Sequence, residues 1–135
     1  MGDDGQQFVG KWKLTKSENF DEYLKALGVN LVLRKLANSS KPTLTVSRDN
    51  DGNWSIVSHS AVRTITMTFK LNETFDQDRA DGKKVKTTFT LTDGKLTENQ
   101  EGDKHNVIVR EVKGDELHVT CTCQGVTSLR IYTKE

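Results

Sequence analysis

The feature that most constrains this chain is a strict alternation of apolar and polar residues, interrupted again and again by residues that favour tight turns. Thr43-Leu-Thr-Val-Ser47, Arg63-Thr-Ile-Thr-Met-Thr-Phe69 and Leu117-His-Val-Thr-Cys121 keep a period of two, which sends successive side chains to opposite faces of a strand. Turn chemistry separates such runs at Asp49-Asn-Asp-Gly52, Asp81-Gly82, Asp93-Gly94, Glu101-Gly-Asp103, Lys113-Gly-Asp115 and Gln124-Gly125. That spacing leaves no room for the crossover helices of a parallel sheet, so the pattern predicts an all-β antiparallel meander. The one proline, Pro42, leaves the rest of the backbone free to form long ladders. A meander of that many strands tends to curl and close, which removes its edges.

One segment departs from the alternation. From Ser17 to Ser39 the apolar residues Phe20, Tyr23, Leu24, Leu27, Leu31 and Leu36 recur at helical spacings. Ser17, Asn19 and Asp21 offer capping oxygens for a helix that begins near Phe20. Gly28 is placed to end it, and a second helix is predicted from about Asn30 to Ala37 before Pro42 restores extended backbone. A helix pair of this size covers one mouth of a barrel, not a whole sheet. A barrel of roughly ten strands is wider than the eight-stranded size that side chains just fill. With 33% of residues hydrophobic, an interior cavity for a small ligand is expected.

Other classes are disfavoured. The longest apolar run, Val29 to Leu33, is broken by Asn30 and falls far short of the ~20 residues of a spanning helix. A net charge of +1 gives no whole-molecule attraction to nucleic acid. Met1-Gly-Asp-Asp-Gly-Gln-Gln7 is acidic and polar, unlike a secretory signal, and points to the cytoplasm. Asn38, Asn53 and Asn72 match the glycosylation pattern, which carries nothing without secretion. Cys121 and Cys123 share one strand face at a spacing poor for a disulfide, so they are expected as reduced core thiols. His118 falls on the opposite face, against a metal site.

No catalytic or cofactor motif is present: there is no Gly-x-Gly-x-x-Gly, no phosphate loop and no Gly-x-Ser-x-Gly elbow. His59, His105 and His118 are scattered over different runs. Most carboxylates lie in turns or beside lysines. Two charges stand out because they interrupt apolar strands: Arg110 in Val107-Ile-Val-Arg-Glu-Val112, and Arg130 in Ser128-Leu-Arg-Ile-Tyr132. The pattern alone admits two arrangements. Both can point outward with Leu129 and Ile131 in the core, or both can point inward and grip an anionic group through their planar forks. Tyr132 shares the face of Arg130 and adds a donor.

Phe8-Val-Gly-Lys-Trp-Lys-Leu14, Asn19-Phe-Asp-Glu-Tyr-Leu-Lys-Ala-Leu-Gly-Val29, Arg34-Lys35 through Lys41-Pro42, Phe69-Lys-Leu71, Glu73-x-Phe-Asp76 and Asp81-Gly-Lys-Lys-Val85 follow one another in order. Arg110 and Arg130, twenty positions apart, are followed by Tyr132. In this order the chain resembles the intracellular lipid-binding proteins, that is, the fatty-acid-binding and cellular retinoid-binding proteins, from Phe8 to Lys134. The resemblance implies a single domain over residues 1–135, a ten-stranded antiparallel β-clam with a helix-turn-helix lid at about 20–38. It implies that Arg110, Arg130 and Tyr132 face a cavity and hold a ligand carboxylate, with Leu129 and Ile131 outside. Val119 and Cys121, and Phe20 and Tyr23 of the lid, are then ligand contacts. Lys25, Leu27, Val29, Leu33, Arg34, Lys35, Val62 and Arg63 belong to the lid and portal. Val62 stands where relatives often carry phenylalanine, and Leu33 where a smaller polar residue is common.

Retinol binders of that family carry glutamine where this chain has Arg110, so the arginine pair implies a long-chain fatty acid, with retinoic acid as the alternative. An extracellular lipocalin-type binder shares the Gly-x-Trp but would bring a signal peptide and usually a disulfide; a lipid-dependent enzyme would bring an acid/base pair. The expectation is a monomeric, non-enzymatic carrier without cofactor. It would be cytoplasmic and also nuclear, giving its lipid to anionic membranes, enzymes or a nuclear receptor. Were Arg110 buried without full compensation, replacing it by glutamine should leave the empty protein as stable or more so.

Overall fold

The computed structural model describes residues 5–61, 63–79 and 82–135. After a 3-10 turn at Gln6–Phe8 come β1 (Gly10–Glu18), α1 (Phe20–Leu27), α2 (Leu31–Ser39), β2 (Thr43–Arg48), β3 (Asn53–His59), β4 (Thr64–Lys70) and β5 (Phe75–Asp78). The chain continues through β6 (Lys84–Thr92), β7 (Lys95–Glu101), β8 (Asn106–Lys113), β9 (Glu116–Cys123) and β10 (Val126–Lys134). All ten strands form one antiparallel sheet in the order β4-β3-β2-β1-β10-β9-β8-β7-β6-β5. Asp93-Gly94 and Gln124-Gly125 both take positive φ at both residues, the two-residue turn whose twist matches that of the hairpin. These turns lock the β6–β7 and β9–β10 registers.

The sheet closes on itself between β1 and β10, with an irregularity between Leu14 and Lys16. It does not close between β4 and β5, which stand at its two edges. Aromatic rings bridge that seam instead. Phe69 of β4 stacks on Phe89 of β6 at 3.6 Å between centroids, with Trp54 and Phe75 flanking at 5.9 and 6.2 Å. Gln77 Nε2 of β5 also donates to Met67 Sδ of β4 at 3.0 Å.

The helices are inserted between β1 and β2 as expected, but their caps differ from the expectation. Asn19 precedes α1 at φ 61 with no side-chain cap; its amide nitrogen donates to Thr127 O on β10 at 2.9 Å. The Ser17 and Asp21 oxygens are likewise used elsewhere, Ser17 by Arg130 and Asp21 by Arg34 and Asn38. Tertiary partners have taken two of the three oxygens that local sequence offered as caps and hold the third residue by its nitrogen. Gly28 ends α1 at φ 104, its N–H donating to Leu24 O and Lys25 O. Asn30 does cap α2, accepting from Leu33 N at 3.0 Å.

Candidate functional site

Alternation along β8, β9 and β10 determines which side chains enter the barrel. Asn106 and Arg110 are buried on β8, Leu117, Val119, Cys121 and Cys123 on β9, and Ser128, Arg130 and Tyr132 on β10. Leu129 and Ile131 lie half-buried on the outer face. Val119 is the ladder partner of Arg110 on one side and of Arg130 on the other. The two arginine Cα atoms are therefore about 10 Å apart, two strand spacings. Arg110 is 9% exposed and Arg130 6%, so the outward arrangement is not the one adopted.

Each guanidinium has protein partners. Arg110 Nη1 donates to Glu98 Oε1 at 2.9 Å and the group lies over the Phe89 ring at 5.7 Å, while its buried Nε has no hydrogen-bond partner among the described residues. Arg130 Nη1 reaches Ser17 Oγ at 3.3 Å, and its guanidinium sits 3.8 Å from the Phe20 ring centroid. Phe20 in turn stacks on Tyr23 at 5.9 Å. The two arginines are thus each held by a polar group and an aromatic ring. Glu98 continues into a hydrogen-bonded series. Gln100 Nε2 donates to Glu98 Oε2 at 2.7 Å, Asn106 Nδ2 to Gln100 Oε1 at 2.8 Å, and Tyr23 OH to Asn106 Oδ1 at 2.8 Å.

Two buried guanidiniums against one buried carboxylate leave this region one positive charge in excess. Cys121 lies among these charges, yet burial pushes its thiol up to about 11, and neither cysteine is in a disulfide. Such a thiol stays protonated and unreactive at neutral pH. Burial likewise raises the Tyr23 hydroxyl above the ordinary tyrosine value. Glu98, Gln100 and Asn106 were missed by the sequence reading. The signal was available in Leu96-x-Glu98-x-Gln100, where the parity of an inward leucine carries both polar residues inward with it.

A model of the lipocalin / cytosolic fatty-acid binding protein family matches residues 9–135. The fatty acid-binding protein of Tyrophagus putrescentiae is 48% identical over 130 residues, covering 96% of this chain and 98% of its own. The chain belongs to the lipocalin / cytosolic fatty-acid binding protein family. Among solved structures, the fatty acid-binding protein from brain tissue of Drosophila melanogaster superposes with a TM-score of 0.89 at 46% identity, over 93% of this chain and 98% of that one. The Schistosoma mansoni fatty acid binding protein in complex with arachidonic acid superposes with a TM-score of 0.93 at 36% identity, over 98% and 99% of the two chains.

The lid residues expected of a family member fall into two groups. Leu27, at the end of α1, and Val29, just beyond it, are buried against the core. Lys25, Leu33, Lys35 and Arg63 are exposed. Arg34 is pinned at the helix junction, its Nε on Asp21 Oδ1 at 3.1 Å and its Nη1 on Val29 O at 3.0 Å. Val62 and Asp81 lie outside the described residues. Among the described residues, the exposed large apolar side chains are Leu31, Val32, Leu33 and Leu36, all on α2, together with Ile65 on β4. No side chain of α2 is fully buried.

Proposed function

We propose that this chain is a cytoplasmic, non-enzymatic carrier, one lipid-binding unit over residues 1–135, that takes up a long-chain fatty acid. Its carboxylate lies between Arg110 and Arg130 with Tyr132 as a further donor. The observation that carries this reading is the excess positive charge buried inside the barrel, with a guanidinium on each side of Val119. A single carboxylate neutralises it. The acyl chain then lies against the lid, so entry has to part Phe20 from Arg130 and Arg110 from Glu98. Burying a sixteen-carbon chain contributes up to ~12 kcal/mol at ~0.8 per methylene, offset by several kcal/mol for ordering and lost translation. Micromolar to nanomolar affinity follows, roughly −8 to −12 kcal/mol.

Delivery uses α2. Its exposed leucines and valine, with Lys35 on the same helix and Lys25 on α1, present an apolar surface with basic residues on the lid, suited to anionic lipid at up to ~1 kcal/mol per charge. Arg34 contributes less, because Asp21 and the Val29 carbonyl already hold it. The same pinning argues against Arg34 as part of an exposed basic signal for nuclear import. The deciding experiment is isothermal titration of oleic acid and oleyl alcohol into the protein and its Arg130→Gln variant. The acid should lose ~2–4 kcal/mol of binding, the scale for truncating one partner of a buried charge pair, and the alcohol far less. Equal losses would mean that Arg130 serves the barrel rather than a ligand charge.

A further inference from the structure

A carboxylate accepts hydrogen bonds and donates none. Glu98 therefore requires Gln100 to present its amide nitrogen, which leaves the Gln100 oxygen for Asn106. Asn106 must then turn its nitrogen to Gln100 and its oxygen to Tyr23, whose hydroxyl has to donate. The orientation of every group from β7 to the lid helix is thus set by the charge on Glu98. Glu98, Gln100, Asn106 and Tyr23 are at most 4% exposed, so no solvent replaces a partner that turns away. At the other end, Arg110 gives Glu98 one nitrogen while its Nε stays unpartnered.

We propose that Glu98 is an internal rival of the ligand carboxylate for Arg110, and that the bonds through Gln100 and Asn106 to Tyr23 carry the outcome of that contest to α1. This rests on the reading that a fatty-acid carboxylate lies at Arg110 and Arg130. A carboxylate that draws Arg110 toward itself leaves Glu98 held by Gln100 alone and beside a second negative charge. The series slackens, and Tyr23 holds the lid less firmly. A fatty alcohol brings no charge, so the Arg110–Glu98 pair and the lid stay as they are. The same contact that recognises an acid thereby eases its later release, and Glu98 moderates the preference for acids over neutral lipids.

The test compares the full chain loaded with oleic acid and with oleyl alcohol. Backbone amides of α1 from Tyr23 to Gly28 should exchange with solvent about tenfold faster in the oleate complex, a coupling of ordinary size. In the Tyr23→Phe variant, which keeps the ring and removes the hydroxyl, that difference should vanish. In Glu98→Gln the ratio of oleate to oleyl alcohol affinity should rise by about tenfold. Equal exchange in the two complexes, a difference that survives Tyr23→Phe, or an unchanged ratio in Glu98→Gln would each overturn the proposal. The exchange comparison decides the matter even if Glu98→Gln fails to fold. An acid-selective loss in Arg130→Gln beside equal exchange would sink the coupling alone. Equal acid and alcohol losses in Arg130→Gln would sink the headgroup reading and the coupling with it.

Discussion

Arg110 shows how one partner reverses the sign of an expected effect. Taken from its strand alone, it is an uncompensated charge whose removal should leave the empty protein as stable or more so. Paired with Glu98 at 2.9 Å, with side chains 11% and 1% exposed, it becomes half of a buried ion pair. Replacing Arg110 by glutamine strands the carboxylate and should destabilise the empty protein by ~3–5 kcal/mol. The double variant Arg110→Gln/Glu98→Gln should recover most of that loss, since two neutral amides can bond each other. Urea denaturation of both variants checks it, and a single variant as stable as the parent would refute the pairing. The two arginines were legible because a charge inside an apolar strand is conspicuous. Glu98 was not, because a glutamate among Thr97, Asn99 and Gln100 looks like a solvated face until the inward side of the strand is known.

At the level of elements, α1 and α2 carry their sequence differently. Tyr23, Leu24 and Leu27 bury one face of α1, so its periodicity was readable and its position follows from packing. Its first turn was misread because propensity names the groups able to cap but not the tertiary partners that orient them, here Thr127 O, Arg130 and Arg34. In α2 only Ala37 packs against the core, and the larger apolar residues stay exposed, with Val32 at 68%. Changing Leu31 and Val32 together to serine should therefore move stability by no more than about 0.5 kcal/mol per site. Transfer of a bound fatty acid to phosphatidylserine-rich vesicles should slow severalfold, with the parent's salt sensitivity retained by the remaining lysines. Transfer at an unaltered rate would mean that α2 does not touch the membrane. The strands were the most legible elements, since turn pairs such as Asp93-Gly94 leave one register for the ladders they join.

For the molecule as a whole, the edge left between β4 and β5 had no local signal. Both segments alternate, and only the closure of the other strands decides that these two remain unpaired. Phe89, with no exposed surface, joins the two sides of the gap through Phe69 and Phe75. Its change to alanine should cost ~3–5 kcal/mol and raise amide exchange in β4 and β5 before β9 and β10. A loss below ~1 kcal/mol in chemical denaturation would mean that the rings fill space without joining the edges. The opposite closure, β1 on β10, has a temporal meaning. Thr15 Oγ1 finds Ile131 O across 116 positions of chain, and joining segments so distant costs roughly 4 kcal/mol of chain entropy before any ladder forms. Contacts of that separation make folding slow. Arg130 and Tyr132 ride on the closing strand, and Ser17, which steadies Arg130, waits on the other. On the proposed reading, the clamp of Arg110, Arg130 and Tyr132 assembles within the β8–β10 meander, but it gains the Ser17 prop under Arg130 only when the barrel is finished.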